Sequence, residues 1–336
     1  MNKKNGLLIV GDPHLTSRQI SKRHDLVSTM ETCLDKLSQV VKIANRENLF
    51  VVFLGDFFDS DKENNIYLLT KTIRILKSLD HKPLTIVGNH EKTEDKLADY
   101  NMLVSLIEAN VMDVFIDNKI TRTLELHDKT LNKDYHIAIG GTNYGSKIPD
   151  KVARPDNVEK LIWITHHDLL FKSAYPGAVP LKEIDGVDLV INGHMHKAQP
   201  QQQEKTTTWC CPGNILRQTV DLAEQKVCVF MWTLNNHENE YKKLIPIELE
   251  YQRDIFKKPE VIEADIDARN DYRFNVRNSE KMGFVEALEA IKIQNDNNVT
   301  DDRAVVIDGM NVLFEAKDVP EDIRQDLLNL ANSVEL

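Results

Sequence analysis

Short apolar segments end in polar residues at five places between residues 7 and 196. These segments lie at 7–10, 50–54, 84–87, 161–164 and 190–191, and each is followed by Asp, Asn or His. Between the first two, apolar residues such as Leu34, Leu37 and Val41 recur at spacings of three and four, as in amphipathic helices. We therefore predict strands that alternate with helices, and hence a parallel sheet with helical cover.

The pattern predicts a βαβαβ core followed by a second sheet, and so an α/β fold. The core elements are strand 6–10, helix 22–47, strand 50–54, helix 63–79, strand 83–87 and helix 94–109. After residue 111 short strands are predicted at 112–126, 134–140, 160–165, 187–192, 207–211 and 226–234, with a last one at 245–249. We expect the strands after residue 111 to form a sheet packed on the first.

Near residue 250 the composition changes, which indicates two domains, 1–250 and 251–336. The sequence pattern of the second part predicts a small α/β appendage. Its terminal helix at 320–334 is amphipathic and either packs on its own domain or docks on a partner.

The net charge of −11 argues mildly against tight, free-standing nucleic-acid binding. It leaves open a nuclease that meets phosphates through metals and local Lys or Arg. No apolar run approaches the roughly 20 residues of a membrane span. The four cysteines lack zinc-finger spacing, and a reducing cytoplasm, bacterial or that of a phage host, fits them.

The polar residues that follow each apolar segment are here called polar tips. The first two polar tips supply carboxylates and an imidazole. Asp12 and His14 lie two residues apart, so in extended backbone both side chains reach one ion, although Asp12 alone also fits a turn or helix cap. Asp56 suits a carboxylate that bridges two ions, with Gly55 allowing a tight turn beneath it. Asp59 is placed outside the direct ligands, or caps the next helix.

The later tips add an amide and histidines. Asn89 is a neutral oxygen ligand, and His90 is assigned to the leaving oxygen, with Glu91 orienting it. His166 directly follows a strand and is the preferred ligand, whereas His167 is either a wall residue of the site or a solvated one. The last tip offers two more histidines, His194 and His196.

The order Asp-x-His, Gly-Asp-x-x-Asp, Gly-Asn-His-Glu, His, Gly-His-x-His resembles the calcineurin-like metallophosphoesterase superfamily over residues 6–235. The resemblance implies a two-sheet metallophosphoesterase sandwich with two divalent ions at one edge. It implies that one ion takes Asp12, His14, Asp56 and His196, and the other Asp56, Asn89, His166 and His194. It also implies His90 and Asp56 as the catalytic residues.

Three details resemble the SbcD-type branch, the nuclease partner of SMC-like ATPases. They are Asp-Pro-His-Leu at 12–15, Gly-Asp-Phe-Phe-Asp at 55–59, and His-Met-His-Lys-Ala-Gln at 194–199 with a later Pro-Gly-Asn at 212–214. Thr16 stands where that branch has Gly, and Glu91 where Asp is common. The branch implies a DNA substrate, an SbcC-type ATPase subunit, a homodimer and no membrane.

The expected reaction is hydrolysis of DNA phosphodiester bonds by a hydroxide held between the two ions, with His90 assisting the leaving group. Mn²⁺ suits the ligand set best, with Fe²⁺, Zn²⁺ or Mg²⁺ as alternatives. Arg18, Lys22 and Arg23 are candidate phosphate contacts or simply a solvated helix start. Two alternatives remain: a phosphodiesterase or phosphatase for cyclic nucleotides or similar small substrates on the same centre, and a non-catalytic scaffold.

Overall fold

The computed structural model describes residues 3–25, 27–92, 97–128, 132–171, 178–234, 244–253 and 255–256. Its strands are β1 (Gly6–Val10), β2 (Leu49–Phe53), β3 (Leu84–Thr85), β4 (Asp113–Val114), β5 (Lys119–Asp128), β6 (Lys133–Thr142), β7 (Lys160–Thr165), β8 (Leu169–Leu170), β9 (Val179–Pro180), β10 (Leu189–Asn192), β11 (Gln199–Glu204), β12 (Thr207–Cys211), β13 (Cys228–Trp232) and β14 (Ile245–Glu248). Its helices are α1 (Thr29–Glu47), α2 (Ile66–Leu76) and α3 (Met102–Glu108), with a 3₁₀ turn at Val220–Leu222.

Two six-stranded sheets form the fold, which confirms the predicted α/β sandwich. The first has the order β14-β13-β1-β2-β3-β4 and the second β11-β12-β10-β7-β6-β5. Strands β1 to β3 are parallel, as predicted, and β4 adds to β3 in the parallel sense, but β13 adds to β1 in the antiparallel sense, with Leu7 opposite Trp232. The expectation that 226–234 and all of 112–126 belong to the second sheet was therefore wrong, because β13 and β4 cover the two free sides of the β1–β2–β3 core.

Apolar side chains on both faces of each sheet explain the continuous hydrophobic runs. Leu7 and Ile9 of β1 pack between the sheets, in a cluster that includes Ile162 and Ile164 of β7. Leu8 and Val10 face the other way, into the cluster that contains α1. The alternation fixes the register of β1, since a slip by one residue would exchange its two faces.

The three described helices all begin later than predicted, α1 and α3 by the most, because more residues lie in the loops that leave the strand ends. Helix α1 begins at Thr29, where the Ser28 side chain accepts a hydrogen bond from the Glu31 N–H. Helix α3 begins at Met102 with Asn101 as its N-cap. The helix start that was predicted near Thr93 falls on residues 93–96, which lie outside the described part of the chain.

The predicted appendage at 251–336, including the helix at 320–334, lies outside the described residues except for 251–253 and 255–256. Two cationic side chains hold the segment that leads to it. Lys36 donates to the Glu250 carbonyl, and the Arg217 guanidinium to the Arg253 carbonyl at 3.1 Å. Within the described ranges no helix is both long and apolar enough to cross a membrane.

Candidate metal centre

The polar tips that follow β1, β2, β3, β7 and β10 meet at one edge of the sandwich, as expected where parallel strands end together. The backbone there is unusual. His14, Asp56 and His194 have positive φ angles of 45°, 44° and 69°, a region that few residues other than glycine and asparagine adopt. Such conformations concentrate at functional sites, where the surrounding structure holds them.

Asp56 lies at the centre of this cluster. Its Oδ2 atom is 3.2 Å from His166 Nε2, 3.8 Å from His14 Nε2 and 3.9 Å from His90 Nε2. Burial opposes the charge, but His166, His14 and His90 together hold the pKa of this carboxyl below its usual range. Asp56 therefore stays ionised and lies between the histidines of the two candidate sites, as a bridging ligand must.

Site A consists of Asp12, His14, Asp56 and His196, whose donor atoms lie within 4.8 Å of one another. The His14 and His196 Nε2 atoms are 2.9 Å apart, close to the roughly 3 Å expected for two nitrogens on one ion at about 2.1 Å. Burial and the nearby His14 lower the pKa of His196 to about 3, so this ring is neutral and offers a lone pair.

Site B consists of Asp56, Asn89, His166 and His194. The Asn89 Oδ1 atom lies 3.1 Å from His166 Nε2 and 2.8 Å from His194 Nδ1. Burial disfavours a charge on His166, but the Asp56 carboxylate outweighs this and raises its pKa to about 10. When no metal ion is bound, the His166 ring therefore takes a proton at Nε2, the nitrogen that faces Asn89 and Asp56.

Asp12 provides the test of whether cations fit here. It is 1% exposed, and neither carboxylate oxygen has a hydrogen-bond partner in the part of the chain described. Burial raises its pKa to about 6. A buried carboxylate without donors is costly unless a cation lies on it, so the Asp, Asn and His donors fit two divalent ions.

A cavity of about 450 Å³ opens onto both sites. It is lined by the candidate ligands Asp56, Asn89, His194 and His196, together with His90, Asp168, Met195, Lys197, Thr219, Asp221 and Leu222. Pockets of this volume take one small ligand or one unit of a polymer.

Comparison with protein families matches residues 7–198 to the calcineurin-like phosphoesterases. The chain belongs to this family. It is therefore a metal-dependent hydrolase of phosphoester bonds, of a kind that uses a dinuclear divalent metal centre. No curated protein sequence matches the chain.

Several solved structures are similar to the chain at low sequence identity. The chain is 12% identical to TT1561 of Thermus thermophilus, covering 73% of this chain and 99% of that one with a TM-score of 0.41. It is 11% identical to a 5′-nucleotidase precursor of the same organism, covering 80% and 59% with a TM-score of 0.41. For a 5′-nucleotidase of Candida albicans the identity is 14%, the coverage 70% and 49%, and the TM-score 0.38.

Two glycines of the phosphoesterase motifs are required by close packing. Gly55 has φ +96°, and a Cβ on it would lie 2.5 Å from His166 Nδ1. A Cβ on Gly193 would lie 2.6 Å from Asp12 Oδ1 and 2.1 Å from the Leu54 carbonyl oxygen. Larger residues at these positions would displace the ligands themselves.

Glu91 does not orient His90, contrary to the sequence-based expectation. Its buried carboxylate accepts hydrogen bonds from the N–H groups of Asp56 at 3.1 Å, Phe58 at 3.3 Å and Gly88 at 2.8 Å, and from that of Phe57. Glu91 thus ties the loop after β2 to the loop after β3, because N–H groups of both loops share one acceptor. Burial and the nearby Asp56 raise its pKa to about 8.

Asp59 lies behind His14 and is not a helix cap, since Asn65 caps α2. Its Oδ1 is 3.4 Å from His14 Nδ1 and accepts a hydrogen bond from Gln218 Nε2 at 2.8 Å. Its Oδ2 accepts one from Arg18 at 3.1 Å. Asp59 therefore orients His14 from outside the direct ligands.

The three candidate phosphate contacts have different positions. Arg18 is exposed and bound to Asp59, and Lys22 is exposed. Arg23 is 3% exposed and pairs with Asp25 at 2.6 Å, so the structure contradicts its assignment as a phosphate contact. A buried guanidinium satisfied by a carboxylate holds the loop together instead.

His167 is buried rather than solvated. Its Nε2 donates to the Ser146 carbonyl at 2.8 Å, and its backbone N–H donates to Asn192 Oδ1 at 3.0 Å. The Tyr144 ring lies 6.3 Å from it and 5.4 Å from His194. His167 and Tyr144 thus form the wall behind site B.

Sequence reasoning missed Tyr144, Gln218 and Asp168. Asp168 Oδ1 lies 3.1 Å from His194 Nε2. The available signal for Asp168 was its place two residues after His166, but aspartates are common in loops. Tyr144 lies just after the end of β6 but has no typical metal-ligand group, and Gln218 lies outside the strand-end motifs, so nothing in the sequence placed either at the site.

Proposed function

We propose that this phosphoesterase is a nuclease that hydrolyses DNA phosphodiester bonds in repair, recombination or replication. The observation that carries the proposal is the position of His90. Its side chain is 34% exposed and lines the cavity, whereas Asp12, His14 and His166 behind it are almost completely buried. A phosphoryl group bound against the ligands would therefore meet His90 from the solvent side.

One nitrogen of His90 is left for the reaction. Nδ1 donates to the Asp59 carbonyl at 2.6 Å, so Nε2 is the atom that can hold or pass a proton. His90 Nε2 lies 3.9 Å from Asp56 Oδ2 and thus beside both sites. We assign it as the group that protonates the leaving oxygen.

Divalent ions, when bound, supply Lewis acidity and lower the pKa of water. The chain supplies orientation, because Asp56 faces both sites and its Oδ1 accepts a hydrogen bond from the backbone N–H of His90 at 3.0 Å. Lys197, the one lysine or arginine among the described residues of the cavity wall, is available to a phosphate next to the scissile one. Such a contact favours a substrate with more than one phosphate.

A second candidate, hydrolysis of small phosphodiesters, is favoured by the cavity itself. Asp168 and Asp221 also line it, and their charges repel a polyanion more than a single phosphodiester. The complete set of donors argues against a non-catalytic scaffold.

The test is cleavage of end-labelled single- and double-stranded DNA with Mn²⁺, with a chromogenic bis-ester of phosphate in parallel. The His90→Ala variant is expected to retain both ions and lose about 10²- to 10⁴-fold in kcat. His127→Ala is the matched control. His127 is 32% exposed and also hydrogen-bonded through Nδ1, but it lies on β5 and is bound to Asp134.

DNA cleavage that is lost in His90→Ala and kept in His127→Ala would support the nuclease. Hydrolysis of the bis-ester with intact DNA would favour the small-substrate enzyme. Equal loss of metal and activity in His90→Ala would contradict the role assigned to His90.

The SMC-like ATPase subunit, the homodimer, the choice of Mn²⁺ and the cytoplasmic location remain proposals that rest on the sequence. Co-purification of the full chain with a coiled-coil ATPase, and its mass in solution, would test the first two. Activity with Mn²⁺, Fe²⁺, Zn²⁺ and Mg²⁺ added singly to metal-free protein would test the third.

A further inference from the structure

We propose that Asp168 is a positioning residue that fixes the His194 ring for binding an ion at site B. The proposal rests on the metal centre and not on the choice of substrate. His194 Nδ1 faces Asn89 Oδ1 at 2.8 Å, so this nitrogen points toward the other ligands of site B. His194 Nε2 points away from them and lies 3.1 Å from Asp168 Oδ1.

A similar arrangement is found at His166 and His90. The nitrogen that faces away from the ligands donates to the Leu54 carbonyl at 2.6 Å in His166 and to the Asp59 carbonyl at 2.6 Å in His90. In His14 this nitrogen lies 3.4 Å from Asp59 Oδ1, which is near it but is not a hydrogen-bond partner. An acceptor there fixes the tautomer and the ring orientation, and makes the other nitrogen a better ligand. Asp168 completes this pattern for His194.

Asp168 is held in place although half of its side chain, 49%, is exposed. Its carbonyl accepts a hydrogen bond from Val179 N–H at 2.8 Å, next to the pairing of β8 with β9. The neighbouring Leu169 is fully buried, and His167 is tied to Asn192 at 3.0 Å. These contacts hold the backbone on both sides of Asp168 and therefore fix the point from which its side chain extends.

Loss of the carboxylate leaves His194 Nε2 without its acceptor, so the ring can rotate and present either nitrogen. We expect Asp168→Ala to weaken the ion at site B by about 10- to 100-fold and to leave site A unchanged. Asp168→Asn keeps an oxygen that can accept from Nε2 and should lose less.

The experiment is calorimetric titration of metal-free full-length protein with Mn²⁺, together with a thermal melt of each variant. Asp221→Ala is the matched control, because Asp221 lines the same cavity and is exposed. The expected result is two binding steps in wild type, with only the step of site B reduced in Asp168→Ala, partly restored in Asp168→Asn and unchanged in Asp221→Ala.

Two outcomes overturn the proposal: Asp168→Ala that binds both ions as wild type does, or equal weakening in Asp168→Ala and Asp221→Ala, which would indicate a general charge effect. If Asp168→Ala does not fold, the proposal depends on Asp168→Asn, and a second step unchanged from wild type there contradicts it. Failure of the nuclease proposal is distinguishable, since it appears as intact DNA with both binding steps present.

Discussion

Sites A and B share Asp56 but differ in charge. Site A adds a second carboxylate, Asp12, which is buried and has no hydrogen-bond donor in the described part of the chain, whereas site B adds the neutral Asn89. The more negative site attracts a divalent ion more strongly. We therefore expect site A to fill first and site B to exchange more readily.

The carboxylates that lie next to the outer nitrogens of His14 and His194 also differ, in how far each is exposed to solvent. Asp59, behind His14, is 17% exposed and held by Gln218 and Arg18. Asp168, behind His194, is 49% exposed. Solvent competes more strongly with the exposed contact, so the comparison indicates a rigid half that keeps its ion and a more adaptable half beside the cavity.

The largest effect is expected where the two halves meet. Asp56→Asn removes the charge that both sites share, so both binding steps should be lost. The ions supply several kcal/mol of transition-state stabilisation, so kcat/KM should fall by about 10³-fold or more. Metal content after dialysis and the rate on the bis-ester check this, with the exposed Asp150→Asn as control. One ion retained at full affinity would contradict the bridging role.

A smaller effect is expected when a substitution in either site reduces the difference in charge between site A and site B. Asp12→Asn should weaken the tighter step by roughly 100-fold, because a buried unit charge next to the ion is removed. Asn89→Asp should strengthen the weaker step and slow hydrolysis, since the added charge repels an anionic substrate. Titration of each variant with Mn²⁺ measures both steps. If the order of the two affinities survives both changes, charge does not set it.

The smallest effect is expected behind site A. Gln218→Leu removes the 2.8 Å hydrogen bond to Asp59 but leaves Arg18, so the tighter step should weaken by about 10-fold or less. The half-buried Gln202 of β11 supplies the control Gln202→Leu. A change confined to the weaker step would refute the assignment of Asp59 and Gln218 to site A.

The candidate ligands were predictable because each lies one to four residues after the end of a strand. His166 and Asp12 could be chosen from the sequence, since parallel strands end at one edge of the sheet and place their next residues together. Arg23 was not predictable in the same way. Its sequence position next to the first tip fits a phosphate contact, and only the fold shows that Asp25 and the Arg217 carbonyl enclose it.

Glu91 shows a further limit. Its place next to His90 predicts a contact between them, yet neighbours in an irregular loop point in different directions, and its carboxylate binds N–H groups of the loop after β2. The pairing of β13 with β1 was missed for a similar reason. An apolar strand near residue 230 fits either sheet, and the choice depends on which strand of the core has a free side.

From local sequence we could predict the alternation of strands and helices, the identity of the donors and their order, because these follow from periodicity and from the residues just beyond each strand end. The tertiary structure decided what stands behind each donor: Asp59 with Gln218 behind His14, and Asp168 behind His194. These contacts join residues from different strand ends, over separations of 26 to 159 residues. Local sequence carries no record of such distances. It could therefore place Asp59 outside the direct ligands, but it could not show which histidine Asp59 faces, nor the contacts of Asp168 and Gln218.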